Sequence, residues 1–270
     1  MRLRITHHTV YHYETPVQFG VQSLRLTPSV FQGQQVIDWA VDMGDAGEAG
    51  AGFRDGAGDW VQLWTLRGPV TQVPVRIDGE VETTDLAGVL KGHREVINPL
   101  TYLRQTEITT PDGALRDVAQ TPSGSLSALD LAHDLSRLVY ENLAYEPGRT
   151  TLNTTASQAL SIGAGVCQDH AHVLMVLARL RDLPARYVSG YLHADAEGTA
   201  HEAAHAWAEI FIDGLGWVGF DAANQTCPND YYVRTGSGLD ARDAAPIRGV
   251  TIMGGTEKLD VTVAVERVEA

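Results

Sequence analysis

The sequence predicts an α+β fold, in which an N-terminal antiparallel β domain is followed by a core that mixes helices and strands. Short β-rich runs follow one another at roughly even spacing from residue 1 to about 110, which is typical of an antiparallel sandwich or barrel. Beyond residue 120, runs with helical spacing of apolar residues alternate with β-rich runs. At 270 residues the chain is long enough for two units. We therefore assign residues 1–110 to a β-rich N-terminal domain and 120–270 to the core, which includes a C-terminal strand.

The strand predictions in the first domain rest on alternation and on β-branched or aromatic residues. Leu3 and Ile5 alternate with polar neighbours, and the run continues through Tyr13. The stretch 45–59 is rich in Gly, Ala and Asp and predicts a hairpin connection. Thr, Pro, Gly and Asp cluster again over 106–125, where we expect limited proteolysis to separate the two parts. Further short strands are predicted at 21–26, 36–41, 60–66 and 73–81.

Three helices are predicted in the first half of the core. Ser127 and Asp130 form a Ser-x-x-Asp pair that is expected to cap the first helix, and apolar residues at helical spacing follow it. A short second helix is predicted at 156–160. Two glycines then form a turn, and the next run has helical spacing and ends before Pro184. This third helix therefore begins at Cys167.

Strands make up most of the remaining core. Residues 185–192 predict one strand, and 205–212 and 217–221 predict a hairpin joined by a glycine-containing turn. The polar residues 228–245 predict a loop. Residues 250–268 carry alternating valines and predict a terminal strand, which we expect to pack on the core.

Cys167 is the first candidate functional residue. A thiol in the first turn of a helix faces unpaired backbone N–H groups and the positive end of the helix dipole. Both stabilise a thiolate, which is the nucleophilic form. A lone cysteine is also commonly a small packing residue in a core. The stretch around Cys167 leaves both interpretations open, and its partners further along the chain decide between them.

A nucleophilic thiol needs a base within hydrogen-bonding distance, and the base needs an acceptor that orients it. His205 is the candidate base, and Asp221, at the end of the next strand, is the candidate acceptor. Counting around the turn sets position 208 opposite 221, so His205 and Asp221 are offset by about three residues, and a bulge or the reach of the histidine has to close the gap. Each residue alone has an ordinary structural explanation. The order Cys, His, Asp at these element ends favours a catalytic site.

The motifs around these residues resemble the bacterial transglutaminase-like family, whose members are often described as cysteine proteases. The opening strands and the segment 241–250 also resemble that family's β-rich N-terminal domain and closing segment, so the resemblance covers nearly the whole chain. It implies a papain-like, transglutaminase-like core with Cys167 as nucleophile, His205 as base and Asp221 as the orienting residue. The core motifs are Gly-Val-Cys-Gln-Asp-x-Ala-His at 165–172, Pro-Ala-Arg-Tyr-Val-Ser-Gly-Tyr-Leu at 184–192, His-Ala-Trp-Ala-Glu-Ile-Phe at 205–211 and Gly-Trp-Val-Gly-Phe-Asp at 216–221.

Together the residues and the resemblance imply acyl transfer at an amide or peptide bond through a thioester on Cys167, with no metal or organic cofactor. The substrate is then a peptide or protein amide. We expect hydrolysis, as in a cysteine protease or amidase, with transglutaminase cross-linking to an amine as the alternative. The Cys167 backbone N–H is the expected oxyanion donor. Tyr145, Gln168 and Trp207 are candidate substrate contacts, although each also has an ordinary explanation in packing or capping.

Two further hypotheses stay open. The stretch His201-Glu202-Ala203-Ala204-His205 matches H-E-x-x-H, which on a helix presents two zinc ligands with the glutamate as base. The β-like alternation of 205–212 and the absence of a convincing third ligand downstream count against a zinc hydrolase, and chelators would discriminate the two chemistries. A non-catalytic binding protein that keeps the fold is the other hypothesis. Resistance of Cys167 to iodoacetamide at neutral pH would favour it.

Composition narrows the expected partners and location. With 20 basic and 34 acidic residues the formal net charge is −14, which argues against nucleic acid or an anionic membrane as partner. The two cysteines, Cys167 and Cys227, form no CxxC pair, and both are expected to be reduced. The first eight residues lack a signal-peptide core, and no apolar run approaches the roughly 18 residues of a membrane span, so a cytoplasmic location is expected. The sequence makes no prediction of oligomeric state.

Overall fold

The computed structural model describes residues 1–122, 124, 126–193 and 204–268, and it confirms the predicted α+β class. The chain first forms an antiparallel sheet, then a set of helices and a second antiparallel sheet, and finally returns to the first sheet. We call these parts the N-terminal sheet and the core.

Two long antiparallel strands, β1 (Arg2–Leu24) and β4 (Trp60–Thr83), form the centre of the N-terminal sheet. Alternation explains β1, because Leu3 and Ile5 are fully buried while their polar neighbours face solvent. Among the described residues the strands at the two ends of this sheet do not pair with each other, so it does not close into the barrel that even strand spacing suggested. Its other strands are β2 (Gln34–Asp42), β3 (Gly47–Arg54), β11 (Ile247–Ile252) and β12 (Glu257–Arg267).

Three sequence predictions about this sheet are wrong. The stretch 45–59 is not a connection throughout, because β3 lies within it and pairs with β4. The segments 60–66 and 73–81 belong to one continuous strand, β4. The terminal strand does not pack on the core: both β11 and β12 pair with β1, because that 23-residue strand has a second edge whose backbone groups need partners.

The core carries all the helices of eight or more residues in the described ranges, and its second sheet has the order β10–β7–β8–β9. The predicted strand at 185–192 is confirmed residue for residue by β7. The helices are α1 (Gly113–Ala119), α2 (Ala128–Asn142), α3 (Ala156–Ile162) and α4 (Cys167–Arg179). The strands are β5 (Ala144–Tyr145), β6 (Ala164–Gly165), β7 (Ala185–Leu192), β8 (Ala204–Ile212), β9 (Gly216–Phe220) and β10 (Tyr232–Gly238).

Helix α4 is the central element of the core. It packs against the other three helices and against β7 and β8. Val173, Leu174, Val176 and Leu177 are fully buried, as expected for a helix that is apolar on every side. Burial of each such side chain contributes about 1.5–3 kcal/mol. The first turn of α4, which begins at Cys167, is therefore held by one of the best-packed elements of the molecule.

The predicted loop at 228–245 is also wrong, because β10 lies within it and occupies one end of the core sheet. Its polar composition did not indicate that it forms a buried strand. Arg234 is paired with Asp59 and Glu209, and Ser237 donates to Asp59. Since Asp59 is distant in sequence, nothing near β10 indicated that its polar groups would have partners.

Buried charges join the N-terminal sheet to the core. The carboxylate of Glu209 in β8 lies between two guanidinium groups, 2.6 Å from Arg186 Nε and 2.9 Å from Arg234 Nε. Asp59, just before β4, pairs with Arg234, and Glu95 pairs with Arg186. The Arg186 guanidinium also lies over the rings of Tyr102 and Trp217. This network holds β8 against the N-terminal half of the chain.

No helix within the described part of the chain is long and apolar enough to cross a membrane.

Limited proteolysis is expected to cut first within 106–125, at its exposed end around 120–122, because Ile108, Thr109, Leu115 and Ala119 are buried. The two fragments should nevertheless stay together on a native column and separate only in denaturant, since β11 and β12 pair with β1. Mass spectrometry of the fragments identifies the cleavage site. Initial cleavage confined to 45–59 or 228–245 would contradict this prediction.

Candidate active site

The turn before Cys167 is shaped by its sequence. Gly163 ends α3 with φ +70°, a left-handed conformation that glycine adopts without strain. Asp169 then folds back over the start of α4, and its Oδ2 accepts hydrogen bonds from the Val166 N–H at 2.9 Å and the Thr150 hydroxyl at 2.7 Å. A Cβ at Gly165 would lie 2.6 Å from this Asp169 side chain, so only glycine fits there. These contacts fix where α4 begins.

Cys167 is the first residue of α4 and is 7% exposed. Its position confirms the predicted helix start. The backbone N–H groups of the first turn point out of the helix end and have no partner within an ideal helix. An acyl oxygen next to the Cys167 sulfur would therefore meet hydrogen-bond donors and a positive dipole end.

Strand β8 brings His205 to this helix start. The register of the hairpin pairs Ala208 with Phe220, and one further step sets Asp221 opposite Trp207. The sequence-based register was wrong by one residue, and a shift of one residue changes the face on which a side chain lies. In the observed register Asp221 shares a face with His205 as its diagonal neighbour. His205 Nε2 lies 2.6 Å from Asp221 Oδ2, so no bulge is needed.

Asp221 is held by several donors in addition to His205. Its Oδ2 accepts hydrogen bonds from the Asn224 amide at 2.7 Å and the Tyr232 hydroxyl at 2.8 Å. Its Oδ1 accepts from the backbone N–H groups of Ala223 and Asn224. Burial raises the pKa of Asp221, but the hydrogen bond and charge of His205, with the Asn224 and Tyr232 bonds, bring it below its ordinary value. Asp221 is therefore ionised across the neutral range.

His205 lies between this carboxylate and the Cys167 thiol. Burial lowers the pKa of His205, but the hydrogen bonds to Asp221 and Cys167, and then their charges, outweigh it and raise the pKa to about 10. The imidazole is consequently protonated at neutral pH. A protonated imidazole next to a sulfur atom at a helix N-terminus is the environment that favours a thiolate.

The three candidate substrate contacts occupy different positions. Tyr145 lies in β5 opposite Gly165, is partly buried, and packs on the core with its ring 6.1 Å from that of His170. Gln168 is the second residue of α4 and is partly exposed beside Cys167. Trp207 is 3% exposed, and its ring stacks on that of His205 at 6.5 Å. Trp207 therefore packs beneath the base, whereas the other two are near enough to the helix start to remain candidates.

Two residues next to the base were not predicted from the sequence. Asn224 follows Asp221 by three residues, a spacing typical of a turn in which a carboxylate accepts backbone and side-chain donors. That spacing could have indicated its role. Tyr232 comes from β10, whose polar sequence predicts a loop, so no local signal pointed to its contact with Asp221.

The H-E-x-x-H hypothesis required His205 to lie on a helix. His205 lies instead in strand β8, and its Nε2 is engaged by Asp221. His201 and Glu202 lie outside the described residues. Among the residues that are described, no group of three or more His, Cys, Asp or Glu side chains is arranged to hold a metal ion.

Iodoacetamide at about pH 6 is expected to modify Cys167 at least about tenfold faster than Cys227. Burial, with the charge of Asp85, raises the pKa of Cys227, whereas Cys167 faces a protonated imidazole. His205→Ala should slow the modification of Cys167 and leave Cys227 unchanged. Peptide mass spectrometry over time measures both rates in one sample. Equal labelling of the two cysteines at this pH would contradict the arrangement.

The chain is similar to known proteins over nearly its whole length. Residues 115–222, which contain Cys167, His205 and Asp221, match the transglutaminase-like superfamily, and residues 3–82 match the bacterial transglutaminase-like N-terminal region. An uncharacterized protein of Mycobacterium leprae is 30% identical over 285 residues, which cover 98% of this chain and 99% of that protein. An uncharacterized protein of Mycobacterium tuberculosis is 27% identical over 290 residues, covering 98% and 92% of the two chains.

A solved structure shares the fold. It is the crystal structure of a "Putative Cysteine Protease" from Cytophaga hutchinsonii, which superposes with a TM-score of 0.77 at 20% identity and covers 100% of this chain and 91% of its own. At that identity the likeness concerns the fold.

Proposed function

Because this chain belongs to the bacterial transglutaminase-like family, we propose that it catalyses thiol-dependent acyl transfer at an amide or peptide bond, with Cys167 as nucleophile. One observation carries the proposal. A single buried imidazole, that of His205, is hydrogen-bonded to the Asp221 carboxylate and interacts electrostatically with Cys167 at the start of α4. Nucleophile, base and orienting acceptor thus stand in the order that thiol catalysis requires.

Acylation uses Cys167 and His205 as a pair. The Cys167 thiolate attacks the amide carbon and forms a C–S bond, and the carbonyl oxygen becomes an oxyanion facing the N–H groups at the start of α4. The His205 imidazolium gives its proton to the leaving nitrogen as the C–N bond breaks. An amine departs and a thioester remains on Cys167. Asp221 stays ionised throughout and holds the imidazole in position.

Deacylation uses the same groups in reverse. His205, now neutral, takes a proton from a water molecule, whose oxygen attacks the thioester carbon. The C–S bond breaks, a carboxylic acid is released, and the proton on His205 restores the thiolate–imidazolium pair. If an amine attacks in place of water, the product is a new amide and the reaction is a transamidation. Hydrolysis is the reaction we propose, because water is in large excess over any amine in dilute buffer.

Parallel assays on one preparation test the proposal. A panel of peptide and glutamine amides is followed for ammonia or amine release, and a fluorescent primary amine is followed for incorporation into protein. We expect release to exceed incorporation, and Cys167→Ala to abolish both. Faster amine incorporation would assign the enzyme to cross-linking. Full activity of Cys167→Ala would refute thiol catalysis, and a lack of any Cys167 alkylation or turnover would support a binding protein.

A further inference from the structure

Strand β12 has one edge with which no other described strand pairs. It pairs with β1 along its whole length, from Leu3 opposite Arg267 to Tyr13 opposite Glu257. No strand in the described part of the chain pairs with its other side. A free edge of 11 residues is unusually long, because edge strands are commonly shortened, bent or interrupted to prevent pairing with another chain.

The hydrogen bonds at the two ends of β12 show which backbone groups are free. The Val268 N–H donates to the Arg2 carbonyl, and the Glu14 N–H donates to the Thr256 carbonyl. Even-numbered residues therefore direct their N–H and C=O groups toward β1, and odd-numbered residues direct theirs outward. The Val265 carbonyl agrees with this alternation, since a His193 ring nitrogen from the core lies 3.0 Å from it. A carbonyl has two lone pairs, so that contact leaves Val265 able to accept a second bond.

Four charged side chains of β12 form no salt bridge within the described chain. Lys258 and Glu266 lie on one face of β12, and Glu257 and Arg267 lie on the other. All four are exposed, and the nearest opposite charge on β1 is that of Arg4, which lies directly across from Glu266. Between them the strand is mostly aliphatic, and Leu259 and Val261 are each 51% exposed.

We propose that β12 pairs antiparallel with β12 of a second copy of this chain, about a two-fold axis through Thr262. In that register the two residue numbers of each directly opposed pair add to 524. Lys258 therefore faces Glu266 of the partner subunit, and Glu257 faces Arg267 of the partner subunit. Leu259 faces the partner's Val265, and Val261 faces the partner's Val263. All the outward backbone groups lie in hydrogen-bonded pairs, because the odd-numbered residues pair with one another. Opposite charges and aliphatic residues directly across from each other are the favourable combinations in antiparallel pairs.

Neighbouring registers are less favourable in charge or are not allowed by strand geometry. A two-fold axis through Val263 would set Asp260 against Glu266 of the partner subunit, two like charges in direct opposition. An axis through Val261 would set Lys258 against the partner's Ala264 and would form no pair of opposite charges. An axis between two residues would place side chains from opposite faces across from each other, which antiparallel pairing about an axis normal to the sheet does not allow. The charge pattern of β12 thus identifies another β12 as its partner.

Charge exchange tests the proposal on the full-length protein. By sedimentation velocity the wild-type protein should form a dimer of about twice the 29.2 kDa monomer at high concentration. K258E sets like charges opposite each other twice in the dimer, and so does E266K, so each should weaken dimerisation at least about tenfold. Mixed in equal amounts, the two variants should recover a dimer, because each chain then meets the opposite charge at both positions. A mixture that associates no better than the single variants would overturn the register.

Backbone substitution provides a second, independent test. Val261 directs its N–H outward, so V261P removes no hydrogen bond to β1 and the fold should persist, which circular dichroism checks. It removes a central bond of the proposed pair and should leave the protein monomeric. V261T keeps the N–H and is the matched control, expected to dimerise like the wild type. A wild-type protein that is monomeric at every concentration, or a V261P variant that still dimerises, would overturn the proposal.

Discussion

Asp221→Asn is expected to lower kcat/KM for the amide substrate by roughly 10²- to 10⁴-fold without unfolding the protein. Both oxygens of Asp221 accept hydrogen bonds: Oδ2 from His205, Asn224 and Tyr232, and Oδ1 from two backbone N–H groups. An asparagine NH₂ in place of either oxygen is a donor, so it could not accept the hydrogen bonds that this oxygen accepts. The variant therefore loses the charge on His205 and the fixed orientation of its ring.

The protonation of His205 separates this effect from general damage. The charge of Asp221 helps to raise the pKa of His205 to about 10, so in Asp221→Asn the imidazole should lose its proton at a lower pH. Titration of the His205 ring signal by NMR measures the change. Asp213→Asn, at the exposed turn of the same hairpin, is the matched control and should leave both titration and rate unchanged. The Cys167→Ala variant gives the background rate of the assay. An Asp221→Asn enzyme with wild-type turnover would remove Asp221 from the mechanism.

The position of the nucleophile could be predicted because local signals determine it. The Gly163–Gly165 turn, the helical spacing after Cys167 and the fold-back of Asp169 all act within a few residues. The strand 185–192 and the hairpin that carries His205 were likewise visible from local alternation.

The contacts that complete the site could not be predicted, because they join distant parts of the chain. Tyr232 reaches Asp221 from a strand whose polarity reads as loop, and that strand is buried only because Arg234 meets Glu209 and Asp59. The face on which Asp221 lies depends on one residue of hairpin register, which loop counting misjudged. The placement of β12 on β1 depends on which edge of the long first strand remained open. The local sequence pattern predicts helices and strands. The partners of buried groups and the register of strands depend on the assembled fold.

Glu209→Gln is expected to lower the free energy of unfolding by about 3–5 kcal/mol. Glu209 is 3% exposed and holds Arg186 and Arg234, which are both almost fully buried. The neutral amide keeps the shape of the side chain but leaves each guanidinium with a single carboxylate, that of Glu95 or Asp59. Buried charges that lose a partner are costly because no water replaces it.

Urea unfolding at neutral pH measures the loss, and a surface ion pair supplies the control. Asp78 pairs with Arg4 at 2.8 Å, but both side chains are about half exposed, so Asp78→Asn should change stability by less than about 1 kcal/mol. The comparison separates burial from ion pairing as such. Equal effects of the two substitutions would contradict the claim that the Glu209 network holds the core to the N-terminal sheet.

The stability difference between the wild type and Glu209→Gln is expected to depend on pH. Burial raises the pKa of Glu209, but the charges and hydrogen bonds of Arg234 and Arg186 outweigh it and lower the pKa to about 2. A group whose pKa is depressed in the folded state contributes stability that is present above its unfolded pKa, ordinarily near 4.5, and is lost as pH falls through the folded value. The difference in stability between wild type and Glu209→Gln should therefore be constant above about pH 5 and shrink toward pH 2 as Glu209 itself becomes neutral. A difference that does not change between pH 5 and pH 2 would show that lost packing, and not lost charge, destabilises the variant.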